Sequence, residues 1–436
     1  MTNCDPTQTL EALTADRRAL HRRPEEGWTE FETTWFIAQR LESLGIPYRA
    51  GIANVDPENV PGRDPKKVEA ALKRARERVK RARERVPAEF LEMLGGYTGV
   101  VAEIDTGREG PLTALRFDID CVCVEESSSC NHIPARDGFA SECPGLMHAC
   151  GHDAHTAVGL AVAAWVAHHR DELAGRIRLI FQPAEEGTRG AVAMAAKGIV
   201  DDVDYFLGSH VGCDAKTGEV LVMKGGFLAT SKINIRFTGT PSHAGAKPED
   251  GRSALLAAAS AALQISGISR HSQGASRVSV GVLNAGEGRN VTPVHASLQV
   301  ETRGETDAIN EFLEANIRRI VEGESIVYDV KGEMEVVGKG ATLPVCDAFC
   351  DRVLETAKGV DGVKSATFWA KPLASEDCTI FMQRVVARGG EAAFFVWGSE
   401  NNGHHKADFD VRPEAMEVGL GVFRAMLKNL NGCGKH

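Results

Sequence analysis

Hydrophobic and polar positions repeat with three different periods along this chain. Helical spacing predicts helices over 6–20 and 30–44, the second stopping at Gly45, with a polar turn from His21 to Gly27 between them. Residues 64–86 are dense in Lys, Arg and Glu. Their apolar positions, Val68, Leu72, Ala75, Val79, Ala82 and Val86, follow steps of 4, 3, 4, 3 and 4, which predicts one narrow helical seam. Arg-Ala-Arg-Glu-Arg-Val occurs there twice, seven residues apart. The interspersed glutamates and the seam favour a solvated packing helix over a nucleic-acid face. Short apolar runs at 98–104, 112–117 and 176–181 read as buried strands. They alternate with helical stretches at 154–169 and 191–197, which argues for a mostly parallel sheet with helices on both faces.

The middle of the chain changes period. A strand over 230–238 that alternates in hydrophobicity is followed by an apolar-faced helix over 252–266 and strands over 277–283 and 296–303. An amphipathic helix over 306–322 and a strand over 326–336 complete the order β-α-β-β-α-β, the ferredoxin-like split motif. The expected architecture is α/β. A three-layer α-β-α catalytic domain spans 1–226 and 341–436, with a charged helical insertion at about 52–97. An inserted ferredoxin-like α+β lid or dimerisation domain covers 227–340.

Length and composition leave this picture standing: 436 residues, 43% hydrophobic and 25% charged, suit a two-domain globular chain. A net charge of -10 disfavours a nucleic-acid or membrane-surface role. The first ten residues are polar and no apolar run reaches spanning length, so a cytoplasmic chain is expected. The 11 cysteines lack framework spacing, and Cys121 and Cys123 are too close for an ordinary bridge, which fits reduced thiols.

Candidate chemistry falls into four clusters: Met147-His148-Ala149-Cys150-Gly151-His152-Asp153 with His155; Gln182-Pro183-Ala184-Glu185-Glu186-Gly187; Gly208-Ser209-His210; and Gly403-His404-His405. Imidazoles, a thiolate and a carboxylate suit zinc or manganese. A pair of such ions polarises an amide carbonyl and lowers the pKa of water, and one of two adjacent glutamates can move the proton if its neighbour is committed to metal. Each cluster alone is weak, since a Cys-Gly-His triplet is more often structural and paired glutamates usually form a solvated turn. Their joint occurrence in this order is what points to a site.

These strings resemble the amidohydrolase branch of the aminoacylase and carboxypeptidase G metallopeptidase superfamily, which includes hippurate hydrolase. The likeness runs from Arg17, Arg18, His21, Pro24 and Glu25 through Leu115–Asp120 to His405. The stretches 136–141, 181–190, 243–251, 288–291 and 375–377, and the charged insertion, are similar to the aminobenzoyl-glutamate hydrolase subgroup. The resemblance implies two divalent ions, Mn²⁺ or Zn²⁺, held by Cys150, His152, Glu186, His210 and His405, with His404 the alternative to His405. It implies Glu185 as general base and His243 as a donor to the oxyanion. Asn290, Arg289 and Arg303 would bind substrate, and Asp120, Asp153 and Glu376 would orient ligands. Cys121 and Cys123 depart from the branch pattern and read as small buried hydrophobes. The implied substrate is p-aminobenzoyl-glutamate, split to p-aminobenzoate and glutamate. The alternatives are another N-acyl amino acid or a dipeptide, or a chain that serves as the non-catalytic partner in such an enzyme. The expected assembly is a homodimer, or a heteromer with a related subunit.

Overall fold

The computed structural model of the protein describes residues 10–77, 86–371 and 374–433. The chain forms two compact units. One runs up to Gly226 and resumes at Leu343 and again at Cys378; the other comprises Phe227–Thr342 and Ala374–Asp377. Strands β1 (Tyr48–Ala50), β2 (Val100–Asp105), β3 (Leu112–Asp118), β4 (Arg176–Gln182), β5 (Tyr205–Val211) and β6 (Glu219–Met223) lie in the first unit. Strands β7 (Ala229–Thr238), β8 (Ser276–Ala285), β9 (His295–Gly304) and β10 (Lys331–Gly340) form the second, and β11 (Ser365–Trp369) and β12 (Glu391–Trp397) return to the first.

The first unit is built on an eight-stranded sheet in the order β1-β2-β4-β3-β5-β12-β6-β11. Its centre, β4-β3-β5-β12, is parallel throughout. The antiparallel joints lie outside that centre, at β1–β2, β2–β4 and β6–β12. Every residue of β3 is buried, as a sheet covered on both faces requires. Helices His152–His168 and Pro413–Asn431 pack on one another and on β3, while Gly190–Ala196 and Cys378–Ala387 pack together and against β4, β5 and β12. The helix His152–His168 has an almost uninterrupted buried surface, which explains its apolar run from Ala157 to Val166.

The charged segment forms a helix over Pro65–Glu77, with Val68, Ala71 and Ala75 buried and the basic side opposite. Val79 and Ala82 of the expected seam lie outside the described residues. Among the described residues, no helix is long and apolar enough to cross a membrane.

The second unit is a four-stranded antiparallel sheet in the order β10-β7-β9-β8, with helices Ala254–Ser266 and Asp307–Val327. Ile233, Ile235 and Phe237 alternate inward from β7 and meet Ala257, Ala258 and Ala261 of one helix and Ile317 and Val321 of the other. Ser253 and Thr306 cap these helices through their hydroxyls, accepting from Leu256 N and Ile309 N. One boundary differs from expectation. The second helix runs on to Val327, and β10 starts at Lys331 rather than at 326. Ile326 and Val327 are 82% and 71% exposed, and Asp329 turns the chain with φ of 50°. The apolar pair that imitates a strand start is therefore an exposed last helical turn.

Candidate metal centre

Parallel neighbours bring their carboxyl ends to one edge, and here that edge collects side chains from distant parts of the sequence. Asp118 ends β3 beside Gln182 at the end of β4, and Val211 ends β5 beside Trp397 at the end of β12. Glu185 and Glu186 sit in the turn after β4, His210 is the penultimate residue of β5, and His404 and His405 follow β12. Cys150 and His152 arrive from the start of the helix His152–His168. Gly151 between them has φ of 90°, and a Cβ there would lie 2.5 Å from Val211 Cγ1. His405 is tied in by its own N–H, which donates to Ala149 O at 2.8 Å.

The potential donor atoms converge in overlapping groups: Cys150, His152 and His210; Cys150, Glu186 and His405; and His152, Glu185 and Glu186. Within each group they lie within 4.8 Å of one another. His152 Nδ1 meets only acceptors, Asp120 O at 3.0 Å and Asp120 Oδ1 at 3.2 Å, so Nδ1 carries the hydrogen. Its Nε2 is a buried atom with no hydrogen bond, facing Asp118 Oδ2 at 3.8 Å and Glu185 Oε2 at 3.9 Å. His210 is arranged alike: Nδ1 donates to Val211 O at 2.8 Å, and Nε2 faces Cys150 Sγ at 3.5 Å. Two imidazole lone pairs, a thiol and a carboxylate thus face one small volume, a donor set that fits borderline divalent ions.

Charge agrees with this. Burial lowers the pKa of His152, but Asp118, Asp120 and Glu186 outweigh it and push the value up to about 10. Burial, with His155 and His404 nearby, holds His210 well below the usual imidazole range, so its ring is neutral. Burial and the two glutamates push the Cys150 thiol well up. The carboxylates draw positive charge into the site, and a cation would meet that demand.

The turn that carries the glutamates is held by its amides. Asp120 accepts from Glu185 N at 3.1 Å and from Glu186 N at 2.9 Å, while Glu30 accepts from Ala184 N at 2.7 Å. Ala184 has φ of 52°, and the three bonds keep this strained turn in one conformation. Glu30 is buried and also accepts from the Thr98 hydroxyl at 2.6 Å. Asp118 is bound on both sides, by Arg116 Nη1 and by His155 Nδ1, and His155 Nε2 accepts from Val211 N at 2.9 Å. His155 therefore has no lone pair to offer, although it belongs to a compact donor group with Asp118 and His152.

Several expected residues stand elsewhere. Asp153, expected to orient a ligand, accepts instead from Arg17 Nε at 3.0 Å and His21 Nδ1 at 2.8 Å. Arg17 continues to Val411 O and Asp410, so this carboxylate ties the first helix to the C-terminal segment. Cys121 is buried, as a small hydrophobe should be, whereas Cys123 is exposed and donates to Glu26, so the expectation for Cys123 is corrected. His243, Arg289, Asn290, Arg303 and Glu376 belong to the second unit. There the turn at His243 pairs with Val291, next to Arg289 and Asn290. Arg303 lies on β9 and donates to Glu301 at 3.0 Å. Glu376 is buried.

The sheet edge and the donors gathered on it define a class, the amide-bond hydrolases of metallopeptidase type. Residues 114–429 match the model of Peptidase family M20/M25/M40, and the chain belongs to this family. It is 44% identical to a p-aminobenzoyl-glutamate hydrolase homolog of Haemophilus influenzae, over 97% of this chain and 99% of that one. It is also 44% identical to the indole-3-acetyl-aspartic acid hydrolase of Enterobacter agglomerans, over 95% and 94% of the two chains. The crystal structure of an aminobenzoyl-glutamate utilization protein from Klebsiella pneumoniae superposes with a TM-score of 0.81 at 38% identity, covering 96% of this chain and 95% of that one. The resemblance read from the motifs is borne out, and the chain is a hydrolase acting on amide bonds of N-acyl amino acids.

Proposed function

We propose that the chain releases an acidic amino acid from its N-acyl derivative, with p-aminobenzoyl-glutamate as first-choice substrate. The observation that carries the reading is the convergence of Cys150, His152, Glu186, His210 and His405 around one volume with Glu185 beside it. Relatives that act on an amide of glutamate and an amide of aspartate support the acidic leaving group. Those five side chains would hold two divalent ions, Mn²⁺ or Zn²⁺. Such a pair, when bound, polarises the amide carbonyl and makes water a stronger acid. Glu185 takes the proton from the attacking water and passes it to the departing amine, and Asp120 keeps Glu185 in place through its backbone N–H.

His243 is assigned as the donor to the negative oxygen that develops on the carbonyl. Its Nδ1 accepts from Gly245 N at 3.2 Å and Ala246 N at 3.1 Å, so Nε2 carries the hydrogen, and the residue is exposed. Arg289 and Asn290 flank the strand residue paired with His243 and are assigned to the substrate carboxylate, which a guanidinium fork fits. Arg303 is the weaker candidate, because it shares Glu301 with Lys232. The second unit also supports association with a second copy or with a related chain. Leu256 and Leu263 are 51% and 78% exposed on one helix, and β8 is an open sheet edge.

The test is to load the purified chain separately with manganese and zinc and to measure amino acid release. The substrates are p-aminobenzoyl-glutamate, an indole-acyl aspartate, a neutral N-acyl amino acid and a dipeptide. The acidic amides should be hydrolysed fastest, and Glu185→Ala should lose about 10²- to 10⁴-fold in kcat while still binding metal. Metal-loaded protein inert on all four, or a Glu185→Ala variant as fast as the parent, refutes the reading.

A further inference from the structure

Two histidines stand side by side after β12, and the donor set above uses one of them. The other, His404, has its tautomer fixed by its neighbours. Its Nε2 lies 3.1 Å from the backbone nitrogen of Cys213, and a backbone N–H can only donate. Nε2 also faces Asn401 Nδ2 at 3.2 Å. The orientation of that amide is set because Asn401 Oδ1 accepts from Gly403 N at 3.0 Å. Nε2 is an acceptor twice over, so the hydrogen of the neutral ring sits on Nδ1. Nδ1 lies 3.6 Å from Cys150 Sγ.

The surroundings are shaped to this ring. Gly212 has φ of 80°, and a side chain there would come within 2.1 Å of Asn401 Nδ2 and 3.0 Å of His404 Nε2. Cys213, which offers the N–H, itself has φ of 48°. The ring lies edge-on to His210, with centroids 5.2 Å apart, and against Phe409 at 5.1 Å. We propose that His404 is a positioning residue that donates an N–H···S hydrogen bond to the sulfur of Cys150 and is not itself a metal ligand. A nitrogen that carries a hydrogen has no lone pair for a cation. The same hydrogen withdraws electron density from the sulfur and holds it against the two imidazole edges.

The inference rests on the reading of Cys150 as a ligand, and cobalt distinguishes the two. The chain loaded with Co²⁺ should show a thiolate-to-metal charge-transfer band that Cys150→Ser abolishes. His404→Ala should move that band to longer wavelength, because the sulfur becomes more electron-rich, and should weaken Co²⁺ binding by about 10- to 100-fold. At saturating Co²⁺ the stoichiometry should be unchanged. His404→Asn, whose side-chain N–H replaces that of Nδ1, should restore the band position. A band present in the parent but unmoved in His404→Ala overturns the role of His404 alone. Loss of one Co²⁺ at saturation in His404→Ala overturns it too, by making His404 a ligand. Absence of any Cys150-dependent band in the parent removes the metal reading and this inference together.

Discussion

The two units prepare their histidines by one device and to opposite effect. In the first unit, His152 and His210 donate through Nδ1, to Asp120 and to Val211 O, and so present bare Nε2 lone pairs inside a buried site. In the second unit, His243 accepts through Nδ1 from two amides of its own turn, and so presents an Nε2–H from an exposed position. A lone pair suits a cation and an N–H suits an oxyanion, so the hydrogen-bond partner of the far nitrogen decides which chemistry a histidine can do. The contrast extends to stability. The first-unit groups are locked into networks that cross the domain, while the His243 ring is held by amides of its own loop.

That contrast breaks most visibly at His243. His243→Ala should lower kcat by about 10²- to 10³-fold, the usual loss for one oxyanion donor, with little change in metal content. The melting temperature should stay where it is, because an exposed turn residue buries nothing. A drop in melting temperature with kcat preserved would mean that His243 is a structural part of its turn.

Much of the first unit could be read before folding, because its donors travel in short strings. Cys150 and His152 share one motif, Glu185 and Glu186 another, and a strand followed by a turn announces each. The residues that secure them could not be read this way. Glu30 is 154 positions from the amide it binds, and Arg17 is 394 from Val411. Such partners carry no local pattern, and only the sheet order brings them together. The role of His404 is hidden for a related reason, since it depends on a backbone N–H that has no identity in a sequence. Short outer strands are also poorly marked: β1 has three residues, and its antiparallel pairing with β2 leaves no periodic trace. The exposed Ile326 and Val327 misled by the same logic, being apolar without being buried.

A smaller effect tests the locked side of the comparison. His21 is buried between Asp153 and Glu126, at 2.8 Å and 2.9 Å. Burial alone would lower its pKa, but those two hydrogen bonds raise it from 6.5 to about 9. The folded state therefore favours the protonated ring. Its contribution is complete below pH 6.5, shrinks as pH rises, and is gone above about 9. The shift is worth up to about 3 kcal/mol. Denaturant unfolding across that window should show this loss, and His21→Gln should flatten it. A parent whose stability is level from pH 6.5 to 9 would show that the network does not hold the ring charged.

The smallest expected effect lies at the end of the helix Asp307–Val327, and it separates two descriptions of the same residues. If Ile326 began a strand of the second unit's sheet with its side chain inward, Ile326→Ser would remove a core contact and cost about 2–5 kcal/mol. As an 82% exposed residue of a last helical turn, it should change stability by no more than about 0.5 kcal/mol. Ile317, fully buried on the same helix, supplies the scale: Ile317→Ala should show the full cavity cost. Equal losses at both positions would restore the strand. A large loss at Ile317 beside almost none at Ile326 places the boundary of β10 at Lys331, where the apolar side chains again pack against β7.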